Sequence, residues 1–486
     1  MVFFVSGFIM PRLIDHKLGH DVLGVWDFSW SLVTYFRFVD MGVTASVNRY
    51  VARHWGKDEI DGINRVVSSA TFALAIAAAI IFIGTVIVVF QLPHWFGEKL
   101  NGQMLVTQRS VFYLGAMLSV GTAFGAYGGV LTGCHRWELQ TMRNSVWQFI
   151  TVAGMIVALF LGAGLATLAA ITAIGQTLGQ LTMISLAYHA CPGLKLKYSY
   201  VSFATLKELY IYSGKILLPT ISEMLLNQTT SVLIIGAMGP TALAIFTRPR
   251  ALLRQLDALE RKMGMILVPT TSVLASTDKT EEIRGLLIKS VRYALYLVLP
   301  TILILVFFGD YIMRVWMGPD YAIFLIPAIL AIGFIGVTIQ ESILAILIGM
   351  DAHGRGGLAQ LIGSIVATLA GYVMIRQYHM GLVGMALAVT VPQIIVSAGY
   401  LPWMACRHLG IKLGGFFQLA ITKPILQLLP FAICLGVCRI LLKPHVVIAA
   451  SLFVAASTGL FIFYWQHVLP GRLKSWIAKF MKKRKS

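Results

Sequence analysis

Charge is in short supply in this chain. Only 12% of its 486 residues are Asp, Glu, Lys or Arg, and just 20 are acidic. A soluble protein carries about 25% charged residues. Apolar residues reach 58% and mean hydropathy is +0.80, so the apolar surface is solvated by lipid, which excludes a soluble enzyme and a disordered chain. Cysteine is sparse as well: Cys134, Cys191, Cys406, Cys434 and Cys438 form an odd set with no C-x-x-C, which argues against a disulfide frame and a zinc site. His16 and His20 form an H-x-x-x-H pair without a third ligand and read as solvated loop residues. No G-x-x-x-x-G-K-[ST] phosphate loop is present, so no ATP-driven pump is supported. The loops 93–109 and 191–207 hold a single acid, Glu98, which argues against a membrane glycosyltransferase or polymerase. Long polar segments are missing too. The net charge of +19 therefore does not indicate nucleic-acid binding, which needs a basic soluble face.

What is present is a succession of long apolar runs. A transmembrane helix needs about 20 apolar residues. Candidate spans lie at 1–10, 22–52, 63–92, 110–133, 145–161, 165–190, 208–238, 241–272, 286–308, 322–350, 358–375, 381–405, 424–441 and 446–467. The expected fold class is an all-α polytopic membrane protein of about 14 helices. The first span is half the needed length, so either the true start lies upstream or the first helix is short. Inner loops gather Lys and Arg. With the N-terminus inside, 23 basic residues fall on inner segments, seven on outer ones and nine within spans. Both termini are therefore expected in the cytoplasm.

The chain also repeats itself at an offset of about 215–220 residues. Leu347-Ile348-Gly349 matches Leu131-Thr132-Gly133, Gly381-Leu382 matches Gly164-Leu165, and Lys279-Thr-Glu-Glu-Ile-Arg-Gly285 matches Lys57-Asp-Glu-Ile-Asp-Gly62. The expected organisation is an N-lobe of six spans at 1–190, a cytoplasmic linker at 191–207, and a C-lobe of six spans at 208–406. Two extra spans at 407–467 and a basic cytoplasmic tail at 468–486 follow. Parallel repeats of this kind place a substrate between the copies near the bilayer midplane.

Three stretches carry a family resemblance. They are Leu23-Gly24-Val25-Trp26 with Asp40-Met41-Gly42-Val43 and Asn48-Arg49-Tyr50, then Val268-Pro269, and Trp316-Met317-Gly318-Pro319-Asp320-Tyr321. Here the chain resembles the bacterial oligosaccharide (Wzx-type, O-antigen) flippases of the multidrug/oligosaccharidyl-lipid/polysaccharide (MOP) exporter superfamily. The resemblance implies export of an undecaprenyl-pyrophosphate-linked oligosaccharide by alternating access across the bacterial inner membrane. It also implies H+ or Na+ as the coupling ion and no other cofactor. The partners it implies are the lipid-linked substrate, membrane lipids and the polysaccharide polymerase machinery. The transporter is expected to work as a monomer. A lipid II flippase and a MATE-like cation-coupled drug antiporter are the alternatives.

Charges within spans mark pathways, because each costs several kcal/mol in hydrocarbon. Span 241–272 holds seven of them. Arg250, Arg254, Asp257 and Arg261 are spaced +4, +3, +4 and share one helical face. Arg37 and Asp40 form a second R-x-x-D pair in span 22–52. Each pair is either a self-neutralised bridge or half of a cavity shared by the two copies. Basic residues outnumber acidic ones within the spans, so an anion is expected to complete the balance, and Arg suits phosphate oxygens. The expected pyrophosphate ligands are Arg37, Arg248, Arg250, Arg254 and Arg261. The expected ion-coupling or network residues are Asp40, Glu223, Asp257 and Glu341. Lys215 reads as snorkelling to the inner surface, and Pro219 as a break that frees carbonyls for ions.

Overall fold

The computed structural model describes residues 2–40, 42–352, 354–441 and 446–468; the side chains at 2–5, 45, 212–219, 446 and 449 are not described. The basic tail falls outside these residues from 469 onward, as do Met41 and Lys443, and so does the Lys215 side chain.

The described residues form helices joined by short turns. In order these are α1 (Val2–Leu18), α2 (His20–Tyr35), α3 (Val43–Trp55), α4 (Ile60–Phe96), α5 (Met104–Ala123), α6 (Gly125–Gly133), α7 (Trp137–Phe160), α8 (Leu165–Ala190), α9 (Phe203–Met224) and α10 (Thr230–Met238). There follow α11 (Pro240–Ser276), α12 (Thr280–Trp316), α13 (Leu325–Gly349), α14 (Gly354–Arg376), α15 (Gly381–Ile394), α16 (Leu401–Leu409), α17 (Leu413–Phe416), α18 (Lys423–Leu441) and α19 (Val446–Phe463). Among the described residues eight helices are long and apolar enough to cross a membrane, or nine if the bent pair α5–α6 counts as one. The protein is an all-α multi-pass membrane protein.

Three expected spans take a different form. The apolar run 1–10 is the start of a longer helix that passes through Pro11 to Leu18. Span 22–52 is not one helix: α2 ends at Tyr35, a 3-10 turn covers Phe36–Asp40, and Gly42 at φ +76° starts α3. Only glycine adopts such a backbone at little cost. Pro219 does not break α9; the irregularity is a π-turn six residues on, at Leu225–Thr229.

The repeat is visible in the hydrogen bonding of its turns. After α6, the N–H groups of Cys134, His135 and Arg136 donate to the carbonyls of Val130, Thr132 and Leu131. After α13, those of Met350, Asp351 and Ala352 donate to Ile346, Ile348 and Leu347. His135 (φ +58°) and Asp351 (φ +56°) are the matching left-handed residues. In a second pair of turns Asp58 (φ +56°) is the repeat equivalent of Asp278 (φ +52°). This corrects the sequence alignment, which set Lys57 against Lys279 and was two residues out of register. Packing repeats too. An added Cβ at Gly133 would press on Val51, and one at Gly349 on Val268 and Thr271.

By packing, the chain divides into two units: 1–248 with 360–389, and 249–359 with 390–486. The lobes at 1–190 and 208–406 are a division by repeat, and the two divisions do not coincide. The first unit has a core of Val47, Val51, Ile63, Val67, Leu74, Val130 and Leu131, drawn from α3, α4 and α6. The second centres on Leu287, Val291, Leu295, Ile343, Ile346, Leu401 and Phe416.

Candidate functional site

Helix α11 carries the charge that a membrane chain should avoid, and its start explains part of it. Gly239 (φ +84°) turns the chain and Pro240 opens the helix, a position where its missing N–H costs nothing. These first turns lie along α2, both within the first unit. A Cβ at Gly24 would overlap the Pro240 carbonyl. Asp21 accepts from Thr241 Oγ1 at 2.5 Å and from Asn101 Nδ2 at 3.2 Å. Asp27 accepts from Thr247 Oγ1 at 2.5 Å and closes an ion pair with Arg248. Asp21–Thr241 and Asp27–Thr247 share a separation of 220 residues, the repeat offset, so equivalent positions of the two copies meet. Arg248 is 2% exposed. Its guanidinium is committed to Asp27, and what it does here is join helices.

Beyond Pro249 the helix belongs to the second unit. Arg250 is half-buried, while Arg254, Arg261 and Lys262 are exposed. Asp257 pairs with Arg261 at 2.9 Å, one turn above, rather than with Arg254. The stripe read from the spacing is thus a helix face with three arginines, one of them bridged to the only acid among the four.

The remaining expected residues lie on other segments of the chain. Arg37 is exposed in the 3-10 turn. Asp40 accepts from the Thr44 N–H at 3.2 Å and caps α3 instead of closing a bridge to Arg37. The two R-x-x-D pairs are therefore not alike. Glu223 is exposed on α9 just before the π-turn, where Tyr35 Oη and Thr229 Oγ1 lie 2.7 Å apart. Glu341 is half-buried on α13. Among the described residues no three His, Cys, Asp or Glu side chains are placed to hold a metal ion.

Two features were missed. Glu260 is 4% exposed, and neither carboxyl oxygen has a hydrogen-bond partner. The spacing contained the signal: Leu253, Glu260, Gly264 and Thr271 recur at 7, 4 and 7, so Glu260 sits on the packed seam of α11 and not on the basic face. The other is the partner of Arg439, which makes a two-pronged contact with Asp310 at 2.9 and 2.7 Å. The same guanidinium lies 4.5 Å from the Tyr311 ring centroid and 5.2 Å from that of Phe324.

Comparison with known proteins follows the same line. A family model described as polysaccharide biosynthesis protein matches residues 31–324. A Shigella flexneri protein provisionally named an O-antigen transporter is 23% identical over 415 residues, covering 82% of this chain and 96% of its own. Among solved structures, an inward-facing multidrug resistance MATE family transporter of the MOP superfamily aligns with a TM-score of 0.69 at 14% identity, over 86% of this chain and 95% of its own. The lipid II flippase MurJ in an inward closed conformation aligns at 0.68 and 12% identity, over 95% and 96%. At these identities the structures establish the fold.

Proposed function

The chain belongs to the polysaccharide biosynthesis protein family, and from that membership we propose that it is the flippase that moves undecaprenyl-pyrophosphate-linked oligosaccharide across the bacterial cytoplasmic membrane. The coarser part is secure in kind: a transporter of the MOP fold and not an enzyme. The substrate is our reading, and the basic face of α11 carries it. Arg250, Arg254 and Arg261 stand on one helix face with Asp257 as its only acid. Guanidinium forks match phosphate oxygens in geometry and charge. A face of this sign favours an anionic lipid over the cationic drugs of an antiporter. Arg37, exposed in the break between α2 and α3, offers a further guanidinium. In this reading both termini are cytoplasmic, and transport is coupled to H+ or Na+ through Asp40, Glu223, Asp257 or Glu341. The polymerase that extends the glycan receives the product. A lipid II flippase would share the fold, and only the substrate separates the two.

The test is the flipping of lipid-linked oligosaccharide in cells or vesicles carrying Arg254→Ala or Arg254→Lys. A hydrogen bond to a charged group contributes about 1.5–3 kcal/mol, so Arg254→Ala should slow flipping roughly 10- to 100-fold. Arg254→Lys, which keeps the charge and loses the fork, should fall between. Full activity in both variants would overturn the assignment.

A further inference from the structure

One side of α4 is a lipid-facing stripe. Phe72, Ile76, Ile80, Ile83, Ile87 and Phe90 recur at helical spacing, and each is at least 40% exposed. From Phe72 to Phe90 is about 27 Å at 1.5 Å per residue, close to the roughly 30 Å of bilayer hydrocarbon. Phe72 therefore marks one edge of that layer. Hydrogen bonds fix the segment 193–202 just beyond this edge. Asn64 Nδ2 donates to the Gly193 carbonyl at 3.3 Å, and Asn64 Oδ1 accepts from the Lys195 N–H at 2.7 Å. The N–H groups of Lys197 and Ser202 donate to the hydroxyls of Ser68 and Ser69 at 3.3 and 3.0 Å. Asn64, Ser68 and Ser69 are all buried. The Tyr198 ring meets Phe72 edge-on with centroids 6.0 Å apart, yet stays 80% exposed.

Positive charge gathers at the same place. Lys195 and Lys197 alternate with Leu196 and Tyr198, and the backbone at Lys197 is extended (φ −140°, ψ 142°), which sends alternate side chains to opposite sides. Arg65 follows Asn64 and lies on the stripe side of α4, seven residues before Phe72. All three cations are exposed, and among the described residues none of them forms an ion pair. The segment 191–207 contains no acid, and α4 contains one, Asp61, which accepts from Tyr200 Oη at 3.4 Å. We propose that Arg65, Lys195, Lys197 and Tyr198 form a binding site for the headgroup of an anionic phospholipid. The stripe continues from this site and offers its apolar surface to the acyl chains. Tyr198 stands at the depth where rings with a polar tip settle. The cations reach the phosphate layer on their aliphatic stems. The bonds to α4 hold the segment in place before the lipid arrives, so little ordering is lost on binding. Charge and depth carry the site; its placement in the cytoplasmic leaflet rests on the orientation proposed above.

The experiment reads the two lysines directly. The full chain in a non-ionic detergent is titrated with phosphatidylglycerol, and labelling of Lys195 and Lys197 by an amine-reactive reagent is followed by peptide mass spectrometry. Both should become protected, while Lys279, paired with Glu282 at 2.9 Å, should not. One basic residue near an anionic headgroup contributes roughly five-fold in affinity. Arg65→Gln, an exposed change that keeps both reporters, should therefore raise the half-protecting lipid concentration roughly five-fold. Phosphatidylcholine and water-soluble glycerol phosphate should protect neither lysine at the same concentrations. Absence of protection in the wild type overturns the proposal with no variant needed. So does equal protection by phosphatidylcholine, by glycerol phosphate or at Lys279, or an unchanged titration in Arg65→Gln. Flipping activity, measured separately, tests the transport reading and leaves this result untouched.

Discussion

Replacing Asp27 by Leu should leave Arg248 as a buried cation without a counter-charge, its guanidinium keeping only the neutral Thr247 hydroxyl as acceptor, at 3.0 Å. The side chains of the pair are 3% (Arg248) and 17% (Asp27) exposed, so solvent screens little of the charge. Removing one member of a buried pair costs about 3–5 kcal/mol. The Thr247 hydroxyl loses its acceptor at the same time, although its second contact, to the Ala244 carbonyl at 3.2 Å, survives. We place the effect near about 3 kcal/mol, since the partial exposure of Asp27 lets the site relax. A domain of this scale shifts by about 2–4 °C per kcal/mol, so unfolding of the purified protein in detergent should begin on the order of 10 °C lower. Arg248→Met should cost less, because Asp27 keeps Thr247 and reaches solvent. The double variant Asp27→Leu with Arg248→Met should recover most of the loss, since an apolar pair of similar volume is often as stable as a buried ion pair. Fluorescence of a thiol-reactive dye during heating measures all three. Because the five cysteines are common to every variant, only the midpoints are compared. The reasoning is refuted if Asp27→Leu melts like the wild type, or if the double variant is as unstable as the single one.

Gly24→Val should abolish accumulation of the folded chain, because the added side chain overlaps the Pro240 backbone; quantitative blotting of membrane fractions checks it, with Gly285→Ala, which meets nothing, as the tolerated control. Arg439→Ala should lower detergent stability by about 2–4 kcal/mol through the stranded Asp310, while Arg439→Lys, which loses both the fork and the ring stacking, should recover less than half of that in the same melting assay.

The parts of the fold that depend on local pattern were legible in the sequence. Helices follow from apolar runs bounded by Gly, Pro and charge, and the repeat follows from spaced glycines such as Gly133 and Gly349. Its register was two residues off around Lys57 because conserved-looking charge guided the match, whereas the left-handed Asp58 and Asp278 fix the turn. The break after Tyr35 was hidden because Phe36–Asp40 is as apolar as the helices around it. The charge partners were beyond reach for a different reason. Arg248 and Asp27 are 221 residues apart and Arg439 and Asp310 are 129 apart, and no local period reports such a meeting. In the stripe on α11, spacing fixed which residues share a face. It also set Glu260 on a neighbouring face with Leu253 and Gly264, and the structure shows which of the two faces is packed and that Arg254 is exposed.

The Asp27–Arg248 pair also sets an order of events during synthesis. Chains grow at about 5–20 residues per second, and 221 residues separate the partners, so Asp27 waits roughly 10–40 s for its counter-charge. Through that interval α2 holds a carboxylate that lipid disfavours, and the helix cannot settle until α11 emerges. Settling of α2 within the first unit is thereby timed by a residue from the middle of the chain, which leaves the early helices dependent on the insertion machinery or on one another until Arg248 arrives.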